Sequence, residues 1–267
     1  MGRKKRKGRN SDGSVSQTCS RGDPREAKLR DLFAKVEWDG DFREPWELKA
    51  KDLDKDQPGF LVTVDNFLTP YECKQIRRIL DDVGLNEPSK ADLTPRKNEA
   101  FLARLSLACP CTTLYEKLWS RLAPLAPRIE DNAGRCRTAV GLTERLRYYI
   151  YNAGHRFDAH VDVSMPGAGN LEYTDYTLLI YLNGNVEGGE TIFWETKKIE
   201  KERVKPEEGK LLLHAHGARC LMHAGDLVRK GSKYMLRADV MYAPEGQTDG
   251  GQTTLDRFKP QKKDFTV

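Results

Sequence analysis

Apolar residues change their spacing along the chain, and the change divides it. Leu29, Leu32, Phe33 and Val36 recur at helical intervals. Ahead of them, Asp23-Pro24-Arg25-Glu26 supplies a capping residue, a proline for the first helical position and a glutamate three residues after the cap. A short amphipathic helix is predicted, ending at Asp39-Gly40. The apolar run from Gly59 to Val64 predicts a strand. Thr69-Pro70-Tyr71-Glu72 is a second capping box. It opens a helix with Cys73, Ile76, Leu80 and Val83 on one face, stopped by Gly84. Residues 85–99 are polar, contain two prolines and predict a long surface loop. Thr113 to Leu125 predicts a further helix, with Leu114, Leu118 and Leu122 facing the core.

From Leu146 onward the period becomes two. Leu146, Tyr148 and Ile150 share one strand face, and Arg147, Tyr149 and Tyr151 the other. Thr177, Leu179 and Tyr181 alternate in the same way with Tyr176, Leu178 and Ile180. Leu211-Leu212-Leu213 and the run from Tyr234 to Met241 are further strands. Pro166-Gly167-Ala168-Gly169 marks a loop. Many short strands separated by turn signals argue for a closed or sandwiched antiparallel fold. The expected organisation is a basic disordered tail over 1–22, a helical extension over 23–58, one domain over 59–243 and a flexible polar tail over 244–267.

Charge sharpens this division. The net charge is +5, and the first ten residues, with Arg3, Lys4, Lys5, Arg6, Lys7 and Arg9 and no acid, hold +6, leaving −1 for the rest. The basic balance therefore belongs to the tail, and the folded part offers no argument for a nucleic-acid surface. The cluster is either a nuclear-localisation or acidic-partner patch or a solvated tail. No apolar run is long enough to span a bilayer, and the charged start is followed by no apolar segment of the secretory kind. A cytoplasmic or nuclear location is expected, with the six cysteines as free thiols. Cys109-Pro110-Cys111 invites a zinc reading, but only Cys136 and Cys220 could join it, without paired spacing, so buried thiols are the expectation.

Candidate chemistry concentrates in the strand-rich half. His160 and Asp162 stand two apart, a spacing that puts both side chains on one face of a strand. A histidine from elsewhere would complete two imidazoles and one carboxylate, a facial set that leaves positions open on a non-haem Fe(II). His214, His216 and His223 compete for that place. His223 is preferred because Lys233, ten residues further on, could then reach a carboxylate of a cosubstrate bound at the same metal. His216-Gly217 reads as a structural turn. Arg237 and Asp239 share parity with Lys233, and are either a structural salt bridge or part of substrate recognition.

Tyr151-x-x-Gly154 ahead of His160-x-Asp162, the Thr177-x-x-x-Tyr181-Leu182 strand, the Gly188-Gly189-Glu190-Thr191 turn, and His223 followed by Lys233 occur in one order. This ordered set resembles the catalytic domain of the Fe(II)- and 2-oxoglutarate-dependent dioxygenases, in particular the prolyl 4-hydroxylase-like branch. It spans about a hundred residues clearly, extends from Gly59 to Tyr242 at lower quality and covers neither tail. The resemblance implies a double-stranded β-helix, or jelly roll, braced by the N-terminal helices. It implies iron on His160, Asp162 and His223, which are also the catalytic set. It implies 2-oxoglutarate held by Lys233 and Thr177, with Tyr151 and Tyr181 as further contacts. It implies O2 as co-reactant, L-ascorbate as reductant, and a hydroxylated product with release of succinate and CO2. A prolyl residue of a protein or peptide is the substrate it suggests; another side chain, a small molecule or a non-catalytic binding module are the alternatives. Relatives often carry an Asn and an Arg that help hold substrate, for which Asn98 and Arg104 are candidates, although solvated loop residues are the plainer expectation.

Overall fold

The computed structural model describes residues 24–38, 48–57, 59–97, 99–130, 134–167 and 172–246. The cap at Asp23, the basic tail, Asn98 and nearly all of the C-terminal tail lie outside the described residues.

Helices and strands alternate irregularly before the strand-rich half. Helix α1 (Pro24–Ala34) starts at the predicted proline; strands β1 (Ala50–Asp52) and β2 (Leu61–Val64) precede α2 (Pro70–Val83). A single turn, α3 (Lys90–Leu93), leads to β3 (Leu105–Pro110), α4 (Thr112–Leu122), β4 (Ile129–Glu130), β5 (Cys136–Leu142), β6 (Arg145–Asn152) and β7 (Phe157–His160). Then come β8 (Tyr173–Tyr181), β9 (Glu187–Gly188), β10 (Thr191–Thr196), β11 (Ile199–Val204), β12 (Leu211–Ala215), β13 (Met222–Gly225), β14 (Val228–Lys230) and the long β15 (Ser232–Pro244).

Every strand pairing among the described residues is antiparallel. The larger sheet runs β1-β2-β12-β8-β15-β5-β4, with β6 also on β15 and β3 on β6; the smaller runs β11-β10-β13-β7, and β14 pairs with β9 in a two-stranded ribbon. β15 reaches 13 residues because its first half pairs with β6 and its second with β5. Two facing antiparallel sheets braced on one side by helices make a jelly roll, the expected fold class.

The larger sheet is buried on both faces, and the period of two sorts its residues. Leu178, Ile180, Leu211, Leu213 and Leu236 pack outward with Leu29, Phe33, Ile76 and Leu118 of the helices. Leu179, Tyr181, Leu212, Met235, Tyr149 and Tyr151 point the other way, toward Phe193 and Val204 of the smaller sheet. The second cluster walls the cavity described below.

The capping box at Thr69 forms in both directions: Thr69 Oγ1 accepts from the Glu72 amide, and Glu72 accepts from the Thr69 amide at 2.9 Å. The same Glu72 carboxylate takes both Arg121 guanidinium nitrogens of α4, at 2.8 and 2.9 Å, with neither side chain exposed. This buried fork ties α2 to α4. Glu72→Ala removes the carboxylate that compensates a buried guanidinium and should cost about 3–5 kcal/mol. Urea unfolding of the variant against wild type checks this, and a loss under about 1 kcal/mol, the range of a surface pair, would contradict it.

The sequence expectation for 85–99 needs correction. Ser89 and Asp92 form another reciprocal capping box and fold α3, and Asn86 bridges to Ser106 in β3. Short polar side chains capping backbone amides give the segment local structure that no apolar periodicity announces. The predicted helix over Thr113–Leu125 is observed as Thr112–Leu122. Cys109 and Cys111 are buried free thiols, with Cys109 pushed up to about 12 by burial.

Candidate metal and cosubstrate site

β7 and β13 are neighbours in the smaller sheet, with His223 directly opposite His160. The residue two beyond His160, Asp162, lies past the strand end, where its carbonyl accepts from the Gly217 amide at 3.0 Å and its own amide donates to Cys220 Sγ at 3.2 Å. The ligating atoms of His160, Asp162 and His223 lie within 4.8 Å of one another. The preferred three residues are therefore one cluster, although the two-residue spacing holds only partly as a strand argument.

The two imidazoles are oriented alike. His160 Nδ1 lies 2.9 Å from the Asp158 carbonyl, and His223 Nδ1 lies 2.9 Å from the Leu221 carbonyl. A carbonyl only accepts, so each Nδ1 carries the proton and each Nε2 keeps its lone pair. Those Nε2 atoms face Asp162 at 3.7 and 3.9 Å. Burial, aided by the neighbouring His223, lowers His160 to about 3, so it is neutral at pH 7 as metal binding requires.

Asp162 is 2% exposed, and its two oxygens differ. Oδ2 accepts from Thr177 Oγ1 at 2.5 Å and from Arg237 Nη2 at 3.1 Å. Oδ1 is buried with no hydrogen-bond partner among the described residues. An unpartnered carboxylate oxygen costs free energy unless a ligand takes it, and this one sits beside His160 Nε2. The donor set therefore fits a divalent metal of the non-haem iron type. Burial opposes ionisation of Asp162, but the Arg237 guanidinium together with His223, His214 and His160 holds the carboxyl well below its usual range.

The support around Asp162 was only partly visible in the sequence. Arg237 also pairs with Asp239 at 3.3 Å, and Asp239 with Arg147 at 3.0 Å, so charges alternate from Arg147 to Asp162. Arg237 and Asp239 are thus a salt bridge that ends on the Asp162 carboxylate of the candidate site. His216 is buried rather than simply part of a turn, with Nε2 2.7 Å from Thr177 Oγ1. Thr177 Oγ1 donates to Asp162, and His216 Nδ1 lies 3.2 Å from the Thr174 carbonyl.

Thr177 requires a correction. It pairs with Asp239 across β8 and β15, six positions from Lys233. At about 3.3 Å per residue the separation along the strand is roughly 20 Å. Thr177 therefore serves Asp162 and cannot help Lys233 hold the far end of a cosubstrate.

Lys233 lies at the other end of the same cavity, opposite Tyr151 on β6. It is 1% exposed; its Nζ donates to the Gly189 carbonyl at 2.8 Å and stands 4.5 Å from the Tyr151 ring centroid. The Gly188-Gly189 turn that presents this carbonyl has φ +78° and +75°, which glycine adopts without strain. Burial depresses the Lys233 amine to about 7, against a partly offsetting attraction from Glu190. Tyr181 does not line the cavity; its hydroxyl bonds Thr191 at 2.6 Å, and Thr191 does.

Arg104 overturns its solvated-loop expectation. It is 7% exposed, donates to Tyr151 Oη at 3.0 Å and lies 3.6 Å above the Tyr149 ring. Its position just before β3 puts it in the cavity wall. His214, passed over as a ligand in favour of His223, also lines the cavity. The cavity brings His160, Asp162, His223, Lys233, Tyr151 and Thr177 together in one lining.

Residues 146–238 match the model of the 2OG-Fe(II) oxygenase superfamily. Over this segment the chain is similar to that superfamily, as the ordered motifs implied, and the match supports a dioxygenase that uses iron, 2-oxoglutarate and O2. No curated protein matches the chain in sequence. Among solved structures, a viral collagen prolyl hydroxylase of Paramecium bursaria Chlorella virus-1, in complex with 2-oxoglutarate, is 18% identical with TM-score 0.47, over 69% of this chain and 96% of that one. A Pseudomonas putida prolyl-4-hydroxylase is 14% identical with TM-score 0.45, over 68% and 92%. A Trichoplax adhaerens prolyl hydroxylase, in complex with a hypoxia inducible factor peptide fragment, is 17% identical with TM-score 0.48, over 68% and 83%. No helix among the described residues is long and apolar enough to cross a membrane.

Proposed function

We propose that this chain is an Fe(II)- and 2-oxoglutarate-dependent dioxygenase that hydroxylates a prolyl residue of a protein or peptide, releasing succinate and CO2. One observation carries the reading: two buried imidazoles with pinned Nδ1 protons face a carboxylate with one unpartnered oxygen, and a buried lysine closes the same cavity. Bound iron and 2-oxoglutarate supply the oxidising chemistry. His160, Asp162 and His223 hold the metal, with Asp162 Oδ1 as the carboxylate donor. Thr177 and Arg237 fix Asp162 through Oδ2, so the carboxylate binds through a single oxygen. Lys233 pairs with the far carboxylate of 2-oxoglutarate, and the aromatic wall of Tyr149, Tyr151 and Phe157 keeps water from that end. Ascorbate is the proposed reductant.

The same scaffold could hydroxylate another side chain or a small molecule. A non-catalytic module is disfavoured because a buried orphan carboxylate oxygen and a buried lysine are costly to retain without ligands. The test is iron-dependent conversion of 2-oxoglutarate to succinate, measured with a set of proline-containing peptides. Succinate formation stimulated by one peptide, with a hydroxyl gained on its proline, is expected. Absence of iron-dependent 2-oxoglutarate consumption would overturn the reading, and stimulation only by proline-free substrates would overturn the prolyl assignment.

A further inference from the structure

His214 stands on β12 opposite Thr177, with its side chain on the cavity face of the larger sheet. It is 3% exposed, and its ring centroid lies 4.3 Å from that of His223. Its Nε2 faces Asp162 Oδ2 at 3.8 Å, beyond hydrogen-bond range. Its Nδ1 is buried with no hydrogen-bond partner among the described residues. A buried imidazole nitrogen with no partner is expensive unless a ligand uses it. His214, Cys220 and His223 form a second group whose ligating atoms lie within 4.8 Å of one another, adjoining the group of His160, Asp162 and His223 through the shared His223. Two donors each about 2.1 Å from one ion stand at most roughly 4.2 Å apart, so His214 reaches the same metal only if its ring moves toward it.

We propose that His214 is a fourth protein donor to the metal while cosubstrate is absent, and that it withdraws when 2-oxoglutarate binds. The inference rests on the iron and 2-oxoglutarate reading above. Six positions less four protein donors leave two, which a keto acid binding through two atoms fills, leaving none for O2. One protein donor must therefore leave. His160 and His223 are pinned through Nδ1 to backbone carbonyls, whereas His214 has no such anchor. It is the imidazole that can turn away.

The full chain loaded with Cu(II) gives an electron paramagnetic resonance signal whose nitrogen couplings count the bound imidazoles. Three are expected in wild type, two after 2-oxoglutarate is added, and two in His214→Leu and in the polar variant His214→Gln. Fe(II) affinity without cosubstrate should fall by about tenfold or more in both variants, a size that even outer groups of metal sites produce. With saturating 2-oxoglutarate the loss should largely vanish, because His214 no longer contributes. Two imidazoles in wild type, unchanged in either variant, would overturn the proposal while leaving the dioxygenase reading intact. Metal binding that survives Asp162→Ala, or no effect of 2-oxoglutarate on any spectrum, would overturn both.

Discussion

Asp162→Ala is expected to abolish Fe(II) binding and turnover and, in contrast to His223→Ala, to lower the stability of the metal-free protein. Both substitutions remove a candidate donor, so both should bring iron-dependent succinate formation to background. They differ in what each leaves behind. The Asp162 carboxylate compensates Arg237 at 3.1 Å inside the sheet and takes the Thr177 proton at 2.5 Å. Without it, Arg237 must share Asp239 with Arg147. Breaking a buried pair of this kind costs on the order of 3 kcal/mol, which for a domain near two hundred residues lowers Tm by roughly 6–12 °C. Metal titration paired with thermal melts of the metal-free variants measures both effects. If Asp162→Ala melts as high as wild type, the Arg237 pair contributes nothing net. If His223→Ala still binds iron while His216→Ala does not, the ligand assignment fails.

Lys233→Ala should raise the KM for 2-oxoglutarate by about ten- to a hundredfold and leave iron affinity nearly unchanged. A charge-assisted bond to a carboxylate contributes roughly 1.5–3 kcal/mol, which sets that range. The amine also predicts a pH dependence. Burial holds it at about 7, with Glu190 and Asp226 drawing it up and Arg104 pressing it down further. Below pH 7 it is charged and affinity should be flat. Above pH 7 the proton must be taken up on binding, so affinity falls by about tenfold per unit until the complex's own value is reached. Stability changes with the opposite sign. The unfolded lysine keeps its proton up to the ordinary value of 10.5 while the folded one has lost it, so this residue makes the metal-free protein more stable as pH rises from about 7 to 10.5. Lys233→Arg should recover only part of the affinity, because the longer planar head meets the Gly189 carbonyl and the Tyr151 ring first. Saturation with 2-oxoglutarate at excess iron, from pH 6 to 9, tests this. A KM unchanged in Lys233→Ala, or a pH slope surviving in that variant, would remove Lys233 from the cosubstrate site.

Local chemistry was readable wherever neighbours in sequence are neighbours in space. Thr69 and Glu72 cap each other one helical turn apart, so the start of α2 needs no distant residue. The period of two between Tyr176 and Tyr181 sorts the two faces of β8, and both faces are apolar because both are covered. β11 escaped notice because Ile199-Glu200-Lys201-Glu202-Arg203-Val204 is a mostly exposed edge whose side chains show little apolar alternation. The turn at α3 escaped because its stability comes from hydrogen bonds of Ser89 and Asp92, which leave no hydrophobic signal.

By itself the sequence determined a closed or sandwiched antiparallel fold, the strand faces and a short list of candidate metal donors, since these depend on local periodicity and on residue types with few alternative uses; the jelly roll followed only from the ordered motifs' resemblance. Only the tertiary structure decided which donors meet and what surrounds them. Pairing of β7 with β13 puts His223 across from His160, a relation that spans more than sixty residues of chain. The register of β8 on β15 moves Thr177 to Asp162 and away from Lys233. Closure of the larger sheet against the smaller brings Arg104 and His214 into one cavity with the candidate triad. The physical reason is the period of a strand: it says which face a side chain takes but not how far along the neighbouring strand it lands. That register is set by the packing of both sheet faces at once.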